Sequence, residues 1–365
     1  MSGMDRRTFL LHTGRWLAVA GLAGAGPLLS GCGPAATTTT TAGSGAQGTS
    51  TTADDSSGAS VTGPGPSSTT TAPGPPTTGT DDSPGSTGGP GTGPGASTGP
   101  ALAVVKGDVV DKNVRAAVAL LGGMGQFVKK GGKVVVKPNV LTGRPPEYAT
   151  TTSPELMKSV IALCWEAGAK EVVVLDNPTS DHRSAFETSG LAQAISDAGG
   201  KLVYLASRDY QDYDIPKGKV LTKWSFVTEA LEADTLIDLT LPKQHGTSGA
   251  TMTMKNLMGV MGGRRGSIHN DFSQKIVDVN TLVKPTLAIL DAYRVLFRNG
   301  PTGGSLDDVR LEKTLVAGTN TVSIDAYGTR FFGKTPADYE WLVEANRRGV
   351  GEIDMSKLNI ATGTA

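Results

Sequence analysis

An α/β fold, with a mostly parallel sheet flanked by helices and preceded by a disordered tether, is what this sequence predicts, and three observations carry it. From residue 101 onward, short strand-like runs alternate with helical stretches, the pattern of successive βαβ units. The runs themselves, KVVVK and EVVVLD among them, are short and β-branched, which with helices between them favours a parallel sheet. From residue 33 to 100 the composition falls to Thr, Gly, Ser, Pro and Ala with no aromatic residue, so that segment cannot bury enough apolar surface to offset its ordering entropy.

Residues 1–32 read as an address. Asp5, Arg6, Arg7, Thr8, Phe9 and Leu10 resemble a twin-arginine export motif, with Arg6 and Arg7 as its core. The apolar stretch from Trp16 to Leu29 is short and glycine-rich for a membrane span. Leu29, Ser30, Gly31 and Cys32 resemble a lipobox, in which Cys32 is the lipidated residue and the mature N-terminus. The alternative is an uncleaved hydrophobic anchor, which also attaches the chain to a membrane. The expected partners are therefore the twin-arginine export machinery and, through the lipid anchor, the membrane; the expected location is extracytoplasmic. The 33–100 segment then acts as a flexible linker whose ends lie on the order of 45 Å apart on average, if it behaves as a glycine-rich coil.

Residues 101–365 are long enough for a sizeable core. They carry 31 basic against 29 acidic side chains, a balance that excludes nucleic-acid binding driven by bulk charge. Cys164 is the only cysteine beyond Cys32, so no intrachain disulfide and no cysteine-held iron–sulfur cluster is expected. Within ALCWEAGAK it reads as a buried helical residue.

The elements follow in order. Strands are predicted at Ala101–Val105 and Lys133–Lys137, with a helix over Asn113–Val128 between them. Ser153 before Pro154 and Glu155 is a helix start with proline at the first helical position, and Gly168 closes that helix ahead of the strand EVVVLD. A helix at Leu191–Asp197 and strands at Lys201–Leu205, Thr235–Leu241 and Thr286–Asp291 complete the series.

In open parallel sheets, ligands bind beyond the carboxyl ends of the strands. Polar residues fall there repeatedly: Lys137 and Asn139 after KVVV, Asp176 and Asn177 after EVVVL, Lys243 and His245 after TLIDLTLP, and Asp291 after TLAIL. Taken singly, Asn139, Asp176 and Asn177 can be turn caps and Lys137 a solvated strand end. The densest cluster runs from Leu241 to His269 and holds Lys243, His245, Lys255, Asn256, Arg264, Arg265 and His269 among glycines that admit a close backbone approach. Such donors suit a small anionic ligand. His245 can serve as general base, and Lys243, Lys255 and Asn256 can hold a carboxylate or phosphate or stabilise an oxyanion.

Blander readings stand beside these. Lys255 can snorkel along a short helix or form a buried pair with Asp176 or Asp291. Arg264 and Arg265 can be a solvated pair. Met252, Met254, Met258 and Met261 suit packing better than copper. A divalent metal held by His245, His269, Asp176 and Asp291 is possible in ligand chemistry, although no dense metal motif is present. His182 sits in NPTSDHRSAF, a predicted loop that can line the same crevice. There is no GxGxxG after the first strand, no P-loop and no GxSxG elbow.

The blocks KVVVKPNVLTG, TTSPELMKSVIALCWEAGAKEVVVLDNP, EADTLIDLTLPKQHG, TMKNLMGVMGG and VSIDAYGTRFFG, in this order, resemble those of the domain of unknown function 362 family. The most specific matches are Lys137, Pro138 and Asn139, then Lys243, His245 and Gly246, then Lys255 and Asn256. The resemblance implies a shared site around these residues. Some members of that family carry a ferredoxin-like cysteine module; this chain has none, so no electron-transfer role is implied. Three function classes follow: an enzyme acting on a small anionic or carbonyl-bearing substrate, with His245 in proton transfer and Lys137, Lys243 and Lys255 as electrostatic stabilisers; a non-catalytic solute-binding lipoprotein; and a purely structural role in the wall.

Overall fold

The computed structural model describes residues 101–365; the export motif at Arg6 and Arg7, Cys32 and the 33–100 linker lie outside the described residues. Within this region the strands are β1 (Leu102–Lys106), β2 (Lys133–Lys137), β3 (Glu171–Asp176), β4 (Lys201–Tyr204), β5 (Tyr210–Asp214), β6 (Lys223–Val227), β7 (Thr235–Thr240), β8 (Lys243–His245), β9 (Gly249–Thr251), β10 (Leu287–Leu296), β11 (Val309–Gly318) and β12 (Ile360–Thr364). The main sheet runs β12-β1-β11-β10-β7-β2-β3-β4, with the β8–β9 hairpin attached to the end of β10; β5 and β6 form a separate hairpin.

From β10 through β7, β2 and β3 to β4 every pairing is parallel. The predicted class is therefore observed. β11 departs from it, running antiparallel to both β10 and β1.

The β-branched strands are buried on both faces, and their alternation divides the core in two. Val134, Val136, Val172 and Val174 face the helices Val110–Leu120, Pro154–Glu166 and Leu191–Asp197. Val135, Val173 and Leu175 face the other side, with residues of the helices Phe272–Leu282, Thr321–Gly328 and Glu340–Arg347. The four methionines pack on that second side, with Met252, Met254 and Met261 wholly buried. Cys164 is buried in its helix, and desolvation pushes its thiol up to about 12.

The helix start at Ser153 forms as its sequence dictates: the side chain accepts from the Leu156 amide, and Pro154 occupies the first turn. Two elements end several residues from where the sequence predicts, the others within about two. The first helix stops at Leu120, because Gly122 and Gly123 take φ of 94° and 89°. The strand over Asp291 runs on to Leu296, since AYRVL continues the apolar pattern and pairs with β11.

β2 is the point where the chain order reverses: β3 and β4 lie on one side of it and β7 and β10 on the other. Such a switch point leaves a crevice outside the carboxyl ends of the strands.

Candidate functional site

That crevice is a cavity of about 390 Å³, bordered by the residues that follow β2 and β3, by the β8–β9 hairpin, and by the segment from Lys255 to His269. Of the predicted site residues, Lys137, Asn139, Asp176, Lys243, His245, Lys255 and Asn256 all line it. Two do not. Arg264 is exposed and points elsewhere, and it is Arg265, held by donation from Nη1 to the Met258 carbonyl at 3.3 Å, that faces the cavity. Asp291 lies within β10 rather than at a strand end; its carboxylate accepts from Ser153 Oγ at 3.1 Å and the Tyr293 amide at 3.0 Å, and burial raises it to about 6. His182 opens the helix His182–Thr188 and lines a neighbouring depression instead.

The floor is a connected polar network. Lys137, fully buried at the end of β2, pairs with Asp176 at 3.0 Å and donates to Asn256 Oδ1 at 2.9 Å. Asn256 Oδ1 also accepts from Asn139 Nδ2 at 2.8 Å, while its own Nδ2 donates to Asp238 at 2.7 Å and to the Leu239 carbonyl at 3.2 Å. Asn139 in turn accepts from Lys243 Nζ at 2.7 Å, and the Thr150 carbonyl takes a second Lys243 donor at 2.6 Å. Both asparagines thus spend their amides on positioning lysines. Gly259 makes room for this network: a Cβ there would lie 1.9 Å from Asp176 Oδ1 and 2.6 Å from Lys137 Nζ.

Asp238, adjacent to Lys137 across the β2–β7 pairing, was not anticipated, because TLIDLT reads as an ordinary apolar strand. Burial raises its carboxyl to about 8 against the opposing pull of Lys137. Asp325 caps the short helix that carries Lys255 by accepting from the Thr253 and Met254 amides at 2.7 and 2.8 Å, and burial raises it to about 7.

Above the floor the charge balance is one-sided. Among the described residues Asp176 is the only carboxylate lining the cavity, and Lys137 takes it; Lys243, Lys255 and Arg265 form no ion pair with any described residue. Lys255 makes neither of the buried pairs considered for it. Its ammonium lies 3.9 Å from Met258 Sδ and 5.7 Å from the centre of the Phe272 ring. Desolvation, followed by mutual repulsion, lowers Lys243 to about 7, and desolvation with the push of Arg265 lowers Lys255 to about 8.

Two imidazoles complete the wall. His245 Nδ1 accepts from the Thr247 and Ser248 amides at 3.2 and 3.4 Å, so the proton of the neutral ring resides on Nε2. Burial and the nearby Lys255 lower this ring to about 3, leaving it neutral near pH 7. His245 thus has its basic nitrogen occupied by backbone amides and offers Nε2–H as a donor, whereas a general base needs a free lone pair. His269 is the converse. Its Nδ1 donates to the Gly266 carbonyl at 3.1 Å, because a carbonyl can only accept, and its buried Nε2 lone pair has no partner among the described residues. Burial and Lys255 also lower this ring. The two rings stack with centroids 5.3 Å apart and planes 12° from parallel.

Among the described residues no group of three or more His, Cys, Asp or Glu side chains is placed to hold a metal ion; Asp176, His245 and His269 share the cavity without forming such a group, and Asp291 lies outside it. No described helix is long and apolar enough to cross a membrane.

A family model described as "Domain of unknown function (DUF362)" matches residues 134–330, an interval that contains every residue lining the cavity. The thylakoid-associated protein sll1697 of Synechocystis sp. is 30% identical over 252 residues, covering 65% of this chain and 74% of that protein. Among solved structures, the lactate racemase apoprotein from Thermoanaerobacterium thermosaccharolyticum overlaps 55% of this chain and 51% of its own length, at 11% identity and a TM-score of 0.33. A protein from Thermotoga maritima overlaps 50% of this chain and 49% of its own, at 12% identity and a TM-score of 0.27. The chain spans about half the length of either.

Proposed function

This chain belongs to the domain of unknown function 362 family, and from that footing we propose that it is a membrane-tethered, extracytoplasmic enzyme that binds a small anion and moves a proton on it. One observation supports this reading above the others: Lys243, Lys255 and Arg265 face a cavity in which the one carboxylate among the described residues is already paired, so an anionic ligand completes the charge balance. His245 Nε2–H donates to an oxygen on which charge develops, and His269 Nε2 accepts the proton. Asn139 and Asn256 hold the lysines in place rather than touching the ligand.

The tether reading rests on Arg6, Arg7 and Cys32, and the relative from Synechocystis sp. is described as thylakoid-associated. Labelling cells with a radioactive fatty acid, with and without Cys32→Ser, tests it: label lost in the variant supports the anchor, and a wild-type chain that takes up none removes it.

The site reading is tested by calorimetry with sulfate, acetate and oxalate on the wild type and on Arg265→Ala. Binding that weakens in the variant supports an anion site. Failure of all three anions to bind, or binding indifferent to Arg265, sinks it. If an anion binds but no turnover of small hydroxy-, oxo- or amino-acids is found, the non-catalytic solute-binding alternative replaces the enzyme.

A further inference from the structure

The cavity's three buried lysines are not equivalent. Lys137 is engaged by Asp176, Asn256 and the Pro138 carbonyl, and Lys243 by Asn139 and the Thr150 carbonyl. Lys255 is 9% exposed, lines the same cavity, and has no oxygen acceptor among the described residues; a thioether and an aromatic face are the partners it has there. A buried ammonium with no acceptor is poorly solvated, so the neutral amine is favoured, and its lone pair is then free for chemistry. The neighbouring Arg265 works in the same direction. A lysine that is desolvated and beside other cations is the arrangement that activates an amine as a nucleophile.

We infer that Lys255 Nζ is a nucleophile that forms an imine with a small aldehyde or ketone bearing an anionic group, the anion being held by Arg265 and Lys243. This deepens the proposed anion site and rests on it. The neutral amine attacks the carbonyl carbon, forming the C–N bond while the carbonyl oxygen takes up a proton. Nitrogen then gives up a proton, the C–O bond breaks, and the hydroxyl leaves as water with a proton. Relative to neutral amine and carbonyl compound, the protonated imine and the released water together carry one proton more, drawn from solvent, and no redox partner is needed. His245 Nε2–H lies in the same wall to donate to the carbonyl oxygen as it becomes a hydroxyl. Asp238 and Asp325 are buried beneath the site and engaged by Asn256 and Thr253, so neither offers Lys255 a counter-ion.

Incubating the full chain with glyoxylate or with glycolaldehyde phosphate in the presence of cyanoborohydride, followed by peptide mapping, tests this. The two probes separate a carboxylate-bearing from a phosphate-bearing partner. The expected result is a reduced adduct on Lys255 with at least one of them, formed at least tenfold faster than on any other lysine and suppressed by excess sulfate. Lys255→Arg, which keeps the charge and cannot form an imine, is expected to give no adduct at that position. Adducts confined to exposed lysines, or no preference for Lys255, overturn the inference. If sulfate still binds in that case, the anion site stands and only the imine falls; if neither probe nor sulfate binds, both fall.

Discussion

His245 and His269 stack with ring centroids 5.3 Å apart, yet they carry their protons on opposite nitrogens. Backbone amides occupy Nδ1 of the first and a backbone carbonyl fixes the proton on Nδ1 of the second. One ring therefore presents a donor and the other an acceptor to the same cavity, an arrangement that suits proton transfer on a bound molecule better than simple binding.

The pair makes the two histidines separable. His245→Gln keeps an N–H donor near the position of Nε2 and is expected to hold sulfate within about threefold of wild type. His245→Ala removes that hydrogen bond, which costs roughly 1–2 kcal/mol or about 5- to 30-fold in Kd. His269→Gln is expected to leave sulfate binding intact while reducing any turnover by about 10²-fold or more, as loss of a general base does. Calorimetry and kinetics on the three variants decide the assignment; equal loss of binding in His245→Gln and His245→Ala would refute the donor role.

Adjacent arginines predict opposite outcomes. Arg265 lines the cavity and Arg264 is exposed. Arg265→Ala is expected to weaken sulfate binding by at least tenfold, the order of one charge-assisted contact, and Arg264→Ala to change it less than twofold. Titrations of both variants at one ionic strength provide the check.

What separates these neighbours also marks the limit of what the sequence discloses. The glycine-flanked pair RR shows a cationic loop but not which guanidinium turns inward; that choice is made by the Met258 carbonyl, seven residues away and in another segment. The strand ends at Lys137 and Asp176 were legible because β-branched runs stop abruptly there, and a parallel sheet brings such ends together. Asp291 misled, since the strand continues past it and pairs with β11, a long-range partner that no local pattern announces. The tautomers of His245 and His269 depend on which backbone groups the loops turn toward them, so the histidines were visible as residues but not as roles. Asp238 was hidden inside an apolar strand.

Gly259 ties the network to the backbone. The Cβ of Gly259→Ala would collide with both Asp176 Oδ1 and Lys137 Nζ, so the buried pair must separate. Breaking a buried pair by leaving its partners uncompensated costs about 3–5 kcal/mol. Calorimetric unfolding is expected to show a loss of that order. A variant as stable as wild type would mean that the pair can shift aside intact.

Proton linkage gives stability and binding opposite pH trends. Lys243 at about 7 and Lys255 at about 8 release protons in the folded chain well before an unfolded lysine does, at ~10.4. Across that interval the unfolded state binds more protons, so the two lysines make the empty protein more stable as pH rises toward about 10. Asp238 at about 8 and Asp325 at about 7 act oppositely: their folded forms retain protons that unfolded carboxyls lose at ~3.9, and the stability they contribute is lost as pH rises through those values. The rise due to the lysines is therefore expected to emerge near pH 8, where Asp325 is almost fully ionised and Asp238 is half-way through its titration. Sulfate needs charged lysines and keeps its own charge throughout, so its affinity is expected to fall by at least tenfold between pH 6 and pH 9 while the ligand-free melting temperature climbs from pH 8 to pH 9.5. Asp238→Asn, which imitates the neutral carboxyl, is expected to flatten the acid side of the stability profile, gaining on wild type as pH rises from about 4 toward 8. Melting curves across this range, with and without sulfate, test all three statements, and sulfate affinity that rises with pH would contradict the lysine assignment.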